Sequence, residues 1–153
     1  SPEARKVCAN PLFSAWYPIE EMYAEPMKKI CELFHDGDAH GLWEMGRFDA
    51  DYGLRGIYQI FTKIISPEFA ISRAQKLFPL YQRPSALEVI EKSKNHVLLR
   101  ITEFPEMNEY HELSIGGYIE RMGEIYGGKD VTVDISKSLT RGDPYTEYRV
   151  TWK

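Results

Sequence analysis

The stretch SALEVIEKSKNHVLLRIT, residues 85–102, decides the fold class, because the hydrophobic pattern of the chain changes there. Two runs of mixed apolar and polar residues, 85–92 and 96–102, flank the short polar segment Ser93-Lys94-Asn95. Two such runs joined by a short polar link are typical of a β-hairpin. Helical patterns lie upstream and further strand patterns lie downstream, so we predict an α+β fold.

Upstream of this hairpin, apolar residues recur at three- and four-residue spacing, which predicts helices. Pro26 should kink or split the first of them, because proline has no N–H to donate inside a helix. Ser66 is a candidate cap for the last one. The predicted helices run from Pro18 to Asp36-Gly37-Asp38 and over 39–52, 54–65 and 66–80.

Downstream, a helix is predicted over 109–126, and alternating apolar residues predict strands around 131–135 and 148–152. The predicted architecture is a helical N-terminal half followed by β-β-α-β-β, with a four-stranded, mainly antiparallel sheet. We expect one domain over 1–153, with a helical part (1–84) and a sheet part (85–153). The candidates for the covered face of the sheet are Tyr126, Tyr148 and Trp152.

Composition limits the function classes. The 153 residues are 43% hydrophobic and 27% charged, as expected of a globular domain. A net charge of -4 argues against nucleic acid as a partner, and no apolar run is long enough to predict a membrane span. The two cysteines, Cys8 and Cys31, cannot form a disulfide framework, and no signal peptide pattern is present. We therefore expect a cytoplasmic protein.

Arg141-Gly142-Asp143 is interpreted as a strand connector rather than an adhesion signal. Gly142 can take a positive φ, Asp143 can bond the backbone downstream of it, and Pro144 fixes its own φ. The tripeptide lies between two apolar-polar alternations, as a connector between strands should.

The C-terminal part of the chain resembles the end of the vinyl-4-reductase-type domain. That end has a glycine-containing helix, a strand of alternating valines and a hairpin written Cys-x-x-x-Gly-Asp-Pro-x-Cys-Glu-Phe-x-Val, which residues 138–150 match as SLTRGDPYTEYRV. The upstream half is similar to a family of bacterial proteins that share this ending. The stretches that carry this likeness are 14–20 (SAWYPIE), 46–47 (GR), 54–58 (LRGIY) and 66–69 (SPEF).

This resemblance implies an α+β fold shared with heme-based nitric-oxide sensor domains and vesicle-tethering subunits. The chain departs from the family pattern at two places. Ser138 and Thr146 stand where the hairpin cysteines are expected, so a thiol site there is absent. The Tyr-x-Ser-x-Arg heme motif is also missing, since the similar stretch 81–85 (YQRPS) has another order. We therefore predict no heme and no other cofactor.

Aromatic and arginine residues mix in the helical half of the chain. The rings fit a hydrophobic core, but a ring-walled cavity with arginines would hold an anionic or flat ligand. The same mixture is typical of a protein interface. The candidate ligand-binding residues are Trp43, Arg47, Arg55, Tyr58, Arg73 and Tyr81.

The helix over 109–126 contains Gly116, Gly117 and Gly123, which should let another backbone approach closely. Gly116 and Gly123 are about two turns apart and share one face. The approaching backbone is either the chain's own sheet or the same helix of a second subunit in a homodimer. The candidate interface residues are Ile115, Gly116, Ile119, Met122 and Gly123.

A metal site is weighed at Cys31-x-x-x-His35, with Asp36, Asp38 and His40 close behind, because these are zinc-type ligands. The segment also reads as an ordinary helix end, and Cys31 lies on the apolar stripe. We predict no metal.

Catalytic patterns are missing from the sequence. His96 and His111 each stand alone, and His111, near a helix start, is interpreted as a surface or capping residue. No nucleophile elbow, phosphate loop or reducing-cofactor motif occurs. The resemblance and the mixture of arginines with aromatic rings together imply a non-catalytic sensory or regulatory module in signalling that binds a small ligand between helices and sheet. The alternatives are a dimeric interaction scaffold without a ligand and a reductase-like enzyme.

Overall fold

The computed structural model describes residues 2–12, 15–54 and 66–153. Within these ranges the helices are α1 (Pro2–Ala9), α2 (Glu25–Phe34), α3 (Gly41–Gly53), α4 (Pro67–Tyr81) and α5 (Glu109–Ile125). The strands are β1 (Ala86–Ser93), β2 (His96–Glu103), β3 (Thr132–Lys137) and β4 (Thr146–Thr151). Apart from α1, each of these elements is predicted by the sequence pattern. The predicted helix over 54–65 lies almost wholly outside the described residues.

The four strands form one sheet in the order β1-β2-β4-β3, and every neighbouring pair is antiparallel. The hairpin between β1 and β2 closes with Ser93 opposite His96. In the middle of the sheet, Leu99 of β2 is paired with Val89 on one side and Tyr148 on the other. The predicted α+β class, with helices first and β-β-α-β-β after them, is confirmed.

One face of the sheet forms the main hydrophobic core. Alternate residues of β2 and β4 point into it, because successive side chains of a strand lie on opposite faces. Helices α4 and α5 cover this face with Ile71, Ile119 and Met122. Tyr148 and Trp152 are buried in this core and Tyr126 packs against it, which confirms the predicted covered face.

Helices α3 and α5 pack backbone against backbone. A Cβ atom on Gly46 of α3 would lie 2.0 Å from the carbonyl oxygen of Ser114, and one on Gly117 of α5 would lie 2.0 Å from that of Trp43. The close backbone approach expected from the α5 glycines is therefore found at Gly117, whereas Cβ atoms on Gly116 and Gly123 would meet the side chains of Trp43 and Val131. The partner of Gly117 is α3 of the same chain, which neither of the two sequence-based alternatives named, because the glycine on α3 gave no signal of its own.

Two helix starts lie where the sequence predicts them and differ from the prediction in local detail. The chain makes one π-helical turn over Glu20–Ala24 before α2 begins, so the irregularity expected at Pro26 takes the form of a widened turn just ahead of it. Ser66 has the extended backbone of a cap residue, but its side chain makes no capping hydrogen bond. Its carbonyl oxygen instead accepts from the backbone N–H groups of Phe69 and Ala70.

The connector between β3 and β4 is a turn, as predicted. Leu139–Arg141 form a single 3₁₀ turn, and Gly142 follows with φ of 87°, a conformation that favours glycine. The carboxylate of Asp143 accepts the backbone N–H of Ser138 at 2.9 Å. The expected bond to downstream backbone is therefore wrong: the aspartate reaches back across the turn and closes it.

Candidate functional site

Two of the predicted ligand-binding residues, Trp43 and Arg47, lie on α3 and face α5. The indole Nε1 of Trp43 donates to Oε2 of Glu120 at 3.0 Å, and the guanidinium of Arg47 donates to the same oxygen. Arg47 also donates to Oε2 of Glu124 at 3.0 Å. An anionic ligand at Arg47 would have to compete with both carboxylates.

The pKa of Glu124 reflects this pairing. Burial alone would raise the pKa of its carboxyl, but hydrogen bonds from Arg121 and Arg47 outweigh burial and hold it below the ordinary value. Arg121 in turn donates to Oδ1 of Asp51 on α3 at 2.9 Å. These pairs tie α3 to α5 beside the glycine contacts.

The other predicted ligand-binding residues do not join Trp43 and Arg47. Arg73 lies on the exposed side of α4, with its guanidinium 5.6 Å from the centroid of the Phe69 ring. Tyr81, at the end of α4, is 75% exposed. Arg55 and Tyr58 lie outside the described residues.

The predicted interface residues lie inside this chain. Ile119 and Met122 belong to the core, and Ile115 packs against it. A Cβ atom on Gly116 would meet the Trp43 ring at 2.4 Å, and one on Gly123 would meet Val131 at 3.0 Å. A two-fold contact through these residues stays a prediction, and it would have to replace these contacts.

His111, in the first turn of α5, is a buried polar side chain with an unmet hydrogen-bonding atom. It is only 4% exposed, and its Nδ1 has no partner among the described residues. Its backbone N–H donates to the side chain of the cap residue Asn108 at 3.0 Å, which fixes where the helix begins. Burial lowers the pKa of His111 from 6.5 to about 4, so the imidazole is neutral near pH 7. Buried polar atoms nearly always have partners, so an unpaired one needs an explanation.

Aromatic rings surround this imidazole. The Tyr23 ring lies 4.4 Å away, centroid to centroid, and the Phe104 ring contacts it edge-on at 5.1 Å. Phe78 of α4 packs against Phe104 at 6.0 Å. We call His111, Tyr23, Phe104 and Phe78 the His111 site. It lies where the helical half of the chain meets the sheet half, since Phe104 follows β2 directly.

Tyr23 lies in the π-helical turn Glu20–Ala24, which places its ring in the His111 site. Turns of this kind are rare, and they occur frequently at functional sites. Burial raises the pKa of Tyr23, although a hydrogen bond with Ser114 acts in the opposite direction. Both polar side chains of the site are therefore uncharged at neutral pH.

The interpretation of His111 as a surface or capping residue is wrong. Its backbone, not its side chain, takes part in the cap, and the side chain points into the protein. A signal for this is present in the sequence: His111, Ile115 and Ile119 follow one another at four-residue spacing and so share one helical face. The apolar stripe of α5 therefore begins with a histidine.

Glu112, the next residue, is a buried carboxylate held by hydroxyl groups. Ser138 and Thr140 donate to its Oε2 at 2.7 and 3.0 Å, and Thr146 donates to its Oε1. The Tyr148 hydroxyl donates to its backbone carbonyl at 2.9 Å. Two of these donors stand at the positions where the family resemblance expects cysteines, so the polar hairpin bonds a carboxylate here.

The segment weighed as a metal site ends a helix, as expected. Asp36 and Gly37 take positive φ angles of 53° and 81°, which stops α2. His40 stacks on Trp43 at 5.9 Å, away from a ligand role, and Cys31 is buried. Within residues 2–12, 15–54 and 66–153, no three His, Cys, Asp or Glu side chains are grouped to hold a metal ion. In the same ranges, no helix has the length and apolarity needed to cross a membrane.

The fold has counterparts among solved structures. An H-NOX protein from S. oneidensis matches with a TM-score of 0.66 and 9% identity over 99% of this chain and 89% of its own. An H-NOX protein mutant from K. algicida matches with a TM-score of 0.65 and 10% identity, over 99% of this chain and 86% of its own. Subunit 3 of a trafficking protein particle complex from Naegleria fowleri matches with a TM-score of 0.52 and 17% identity, over 99% of this chain and 92% of its own.

Sequence comparison adds nothing to this likeness, since no protein-family model and no curated protein matches the chain. The resemblance to the vinyl-4-reductase-type domain therefore stays a prediction. At such low identities the structural matches establish the fold alone. The chain has the α+β fold that H-NOX proteins and the trafficking-complex subunit share.

Proposed function

We propose that this protein is a non-catalytic sensory or regulatory module that binds a small ligand at the His111 site. The observation that carries the proposal is Nδ1 of His111, which has no partner among the described residues and is buried among rings at the junction of the two halves. Leaving such an atom without a partner costs about 1–3 kcal/mol, which a ligand that bonds it would recover. Ligand sites are mostly apolar with a few placed polar groups, and the His111 site has this composition.

The fold neighbours support a ligand-binding role. The S. oneidensis protein is in an Fe(II)NO ligation state, and the N. fowleri subunit is covalently bound to palmitic acid. This fold therefore accommodates small molecules of different chemistry in other proteins. The likeness does not identify the ligand of this chain, which has to follow from its own residues.

The position of the site suits a sensor. A ligand at His111 would contact the π-helical turn of the helical half and the first turn of α5 at once. A ligand shifts a conformational equilibrium only if it binds two states with different affinity. Because two separate segments make the site, a state in which they are apart would bind the ligand less tightly.

Ligand-observed NMR with a panel of small charged and uncharged aromatic compounds tests this proposal. We expect hits that shift the ring signals of Tyr23, Phe104 and His111. Hits that carry a hydrogen-bonding group should bind His111→Phe more weakly than the wild type. Their affinity for His40→Phe, a matched change at an exposed position, should equal that for the wild type. Absence of hits, or hits that shift only residues elsewhere, would refute the proposal.

A dimeric scaffold is the second candidate, favoured by the exposed side of α4. Phe69, Leu77, Leu80 and Tyr81 are between 45% and 75% exposed there, and such apolar surfaces often mark interaction sites. Sedimentation of the wild type and Leu77→Glu over a range of concentrations tests this role. A wild type that stays monomeric at every concentration would remove self-association, and a dimer unaffected by the change would remove α4 from its interface.

A further inference from the structure

We infer that the ligand of the His111 site is an uncharged aromatic molecule that carries a hydroxyl group. This inference rests on the proposed function and names the chemistry that the site would select. The sequence predicts an anionic or flat ligand beside arginines; the inferred ligand keeps the flat body and lacks the charge.

The rings determine the body of the ligand. The centroid of the Tyr23 ring lies 4.4 Å from that of the imidazole, and the two ring planes are inclined by 35°. The Phe104 ring is nearly perpendicular to both of its ring neighbours, at 75° to the imidazole and 74° to Phe78. Rings at these distances interact best with another flat ring, offset or edge-on. An aromatic ligand can join this cluster by replacing one ring contact with another of the same kind.

The unpaired Nδ1 determines the polar group. A neutral imidazole has one N–H and one lone pair, so Nδ1 is either a donor or an acceptor. A hydroxyl group both donates and accepts, so it satisfies either tautomer. A single hydroxyl is also enough, since Nδ1 is the only buried side-chain atom without a partner in the described part of this site.

The surrounding charges exclude an ionised ligand. Arg47, the cation that faces α5, is already paired with Glu120 and Glu124. The neighbouring carboxylate of Glu112 is occupied by three hydroxyl donors. A buried charge without a counter-charge is strongly disfavoured, so a carboxylate would not be stable beside His111.

Three probes of similar size test the inference: phenol, toluene and benzoate. In the wild type we expect phenol to bind about tenfold more tightly than toluene, which is the worth of about one hydrogen bond, and benzoate not to bind. His111→Phe should bind phenol and toluene equally. In the wild type, phenol should also shift the ¹⁵N resonance of His111 Nδ1, and toluene should not, a readout that needs no variant.

The outcomes separate the inference from the function on which it rests. Equal binding of phenol and toluene by the wild type, with shifted Tyr23 and Phe104 signals, would overturn the hydroxyl and leave the site in place. Tighter binding of benzoate than of phenol would overturn the uncharged ligand. If none of the three probes shifts those ring signals, both the ligand class and the proposed site are wrong.

Discussion

The Ser138 hydroxyl oxygen lies 2.7 Å from Oε2 of the buried Glu112 carboxylate. This bond joins the residue that follows β3 to the first turn of α5, and the two residues are 26 positions apart in the chain. It also brings a hydroxyl to a position where the family resemblance expects a thiol. The carboxylate therefore organises the hairpin that follows, because Thr140 and Thr146 bond to it as well.

Glu112→Gln should destabilise the protein by about 1–3 kcal/mol, because the amide nitrogen cannot accept from the hydroxyls that now donate to the carboxylate. Urea unfolding followed by circular dichroism measures the change. Glu109→Gln, in the same helical turn but exposed, should change stability by less than about 0.5 kcal/mol. Equal effects of the two changes would show that the hydroxyl bonds to Glu112 do not stabilise the fold.

The stability of the protein should depend on pH through His111. The pKa of this residue is lowered from 6.5 to about 4, so the unfolded chain binds its proton first as the pH falls. The free energy of unfolding should therefore drop between pH 6.5 and 4, by roughly 3 kcal/mol in total, and this contribution is fully present above pH 6.5.

His111→Phe isolates this contribution. Carboxyl groups also titrate below pH 5, but they do so equally in the wild type and the variant. The slope of stability against pH between 6.5 and 5 should therefore be smaller in the variant. Identical slopes would mean that His111 is not buried as a neutral imidazole.

Gly117→Ala should destabilise the protein by several kcal/mol, about 3 or more, because the new Cβ atom would overlap the Trp43 carbonyl oxygen and force α3 away. Gly53→Ala is the matched control: outside its own helix, the nearest atom to its Cβ among the described residues is the Tyr118 hydroxyl, 3.7 Å away. The control should be neutral or slightly stabilising, since alanine is favoured over glycine in helices. Thermal unfolding compares the two, and a similar melting temperature for both would contradict the close approach.

Arg47→Met should lower the free energy of unfolding by about 1 kcal/mol at low salt, because Glu120 and Glu124 lose their shared cation. The side chains involved are partly exposed, which limits the effect. The loss should shrink at 1 M salt, where the pairing is screened. A loss that is independent of salt would assign the role of Arg47 to packing rather than charge.

The sequence was sufficient for the fold because its signals are local. The alternation in β2 and β4, the polar link before His96 and the glycine at 142 each report on the conformation of their own segment. The sites depend on contacts between distant segments. Arg47 looked free because Glu120 and Glu124 lie more than 70 residues away along the chain. His111 looked exposed because the Tyr23 ring that covers it comes from another helix.

The glycine contacts between α3 and α5 also have a mechanical consequence. At Gly46 and Gly117 the main chains touch directly, with no side chain between them that could change rotamer and yield. Two helices joined in this way should move together as one rigid body. Tyr23 belongs to a separate segment, the π-helical turn, and is not part of that rigid body. Entry of the proposed ligand at His111 should therefore displace the π-helical turn and leave α3 and α5 in place.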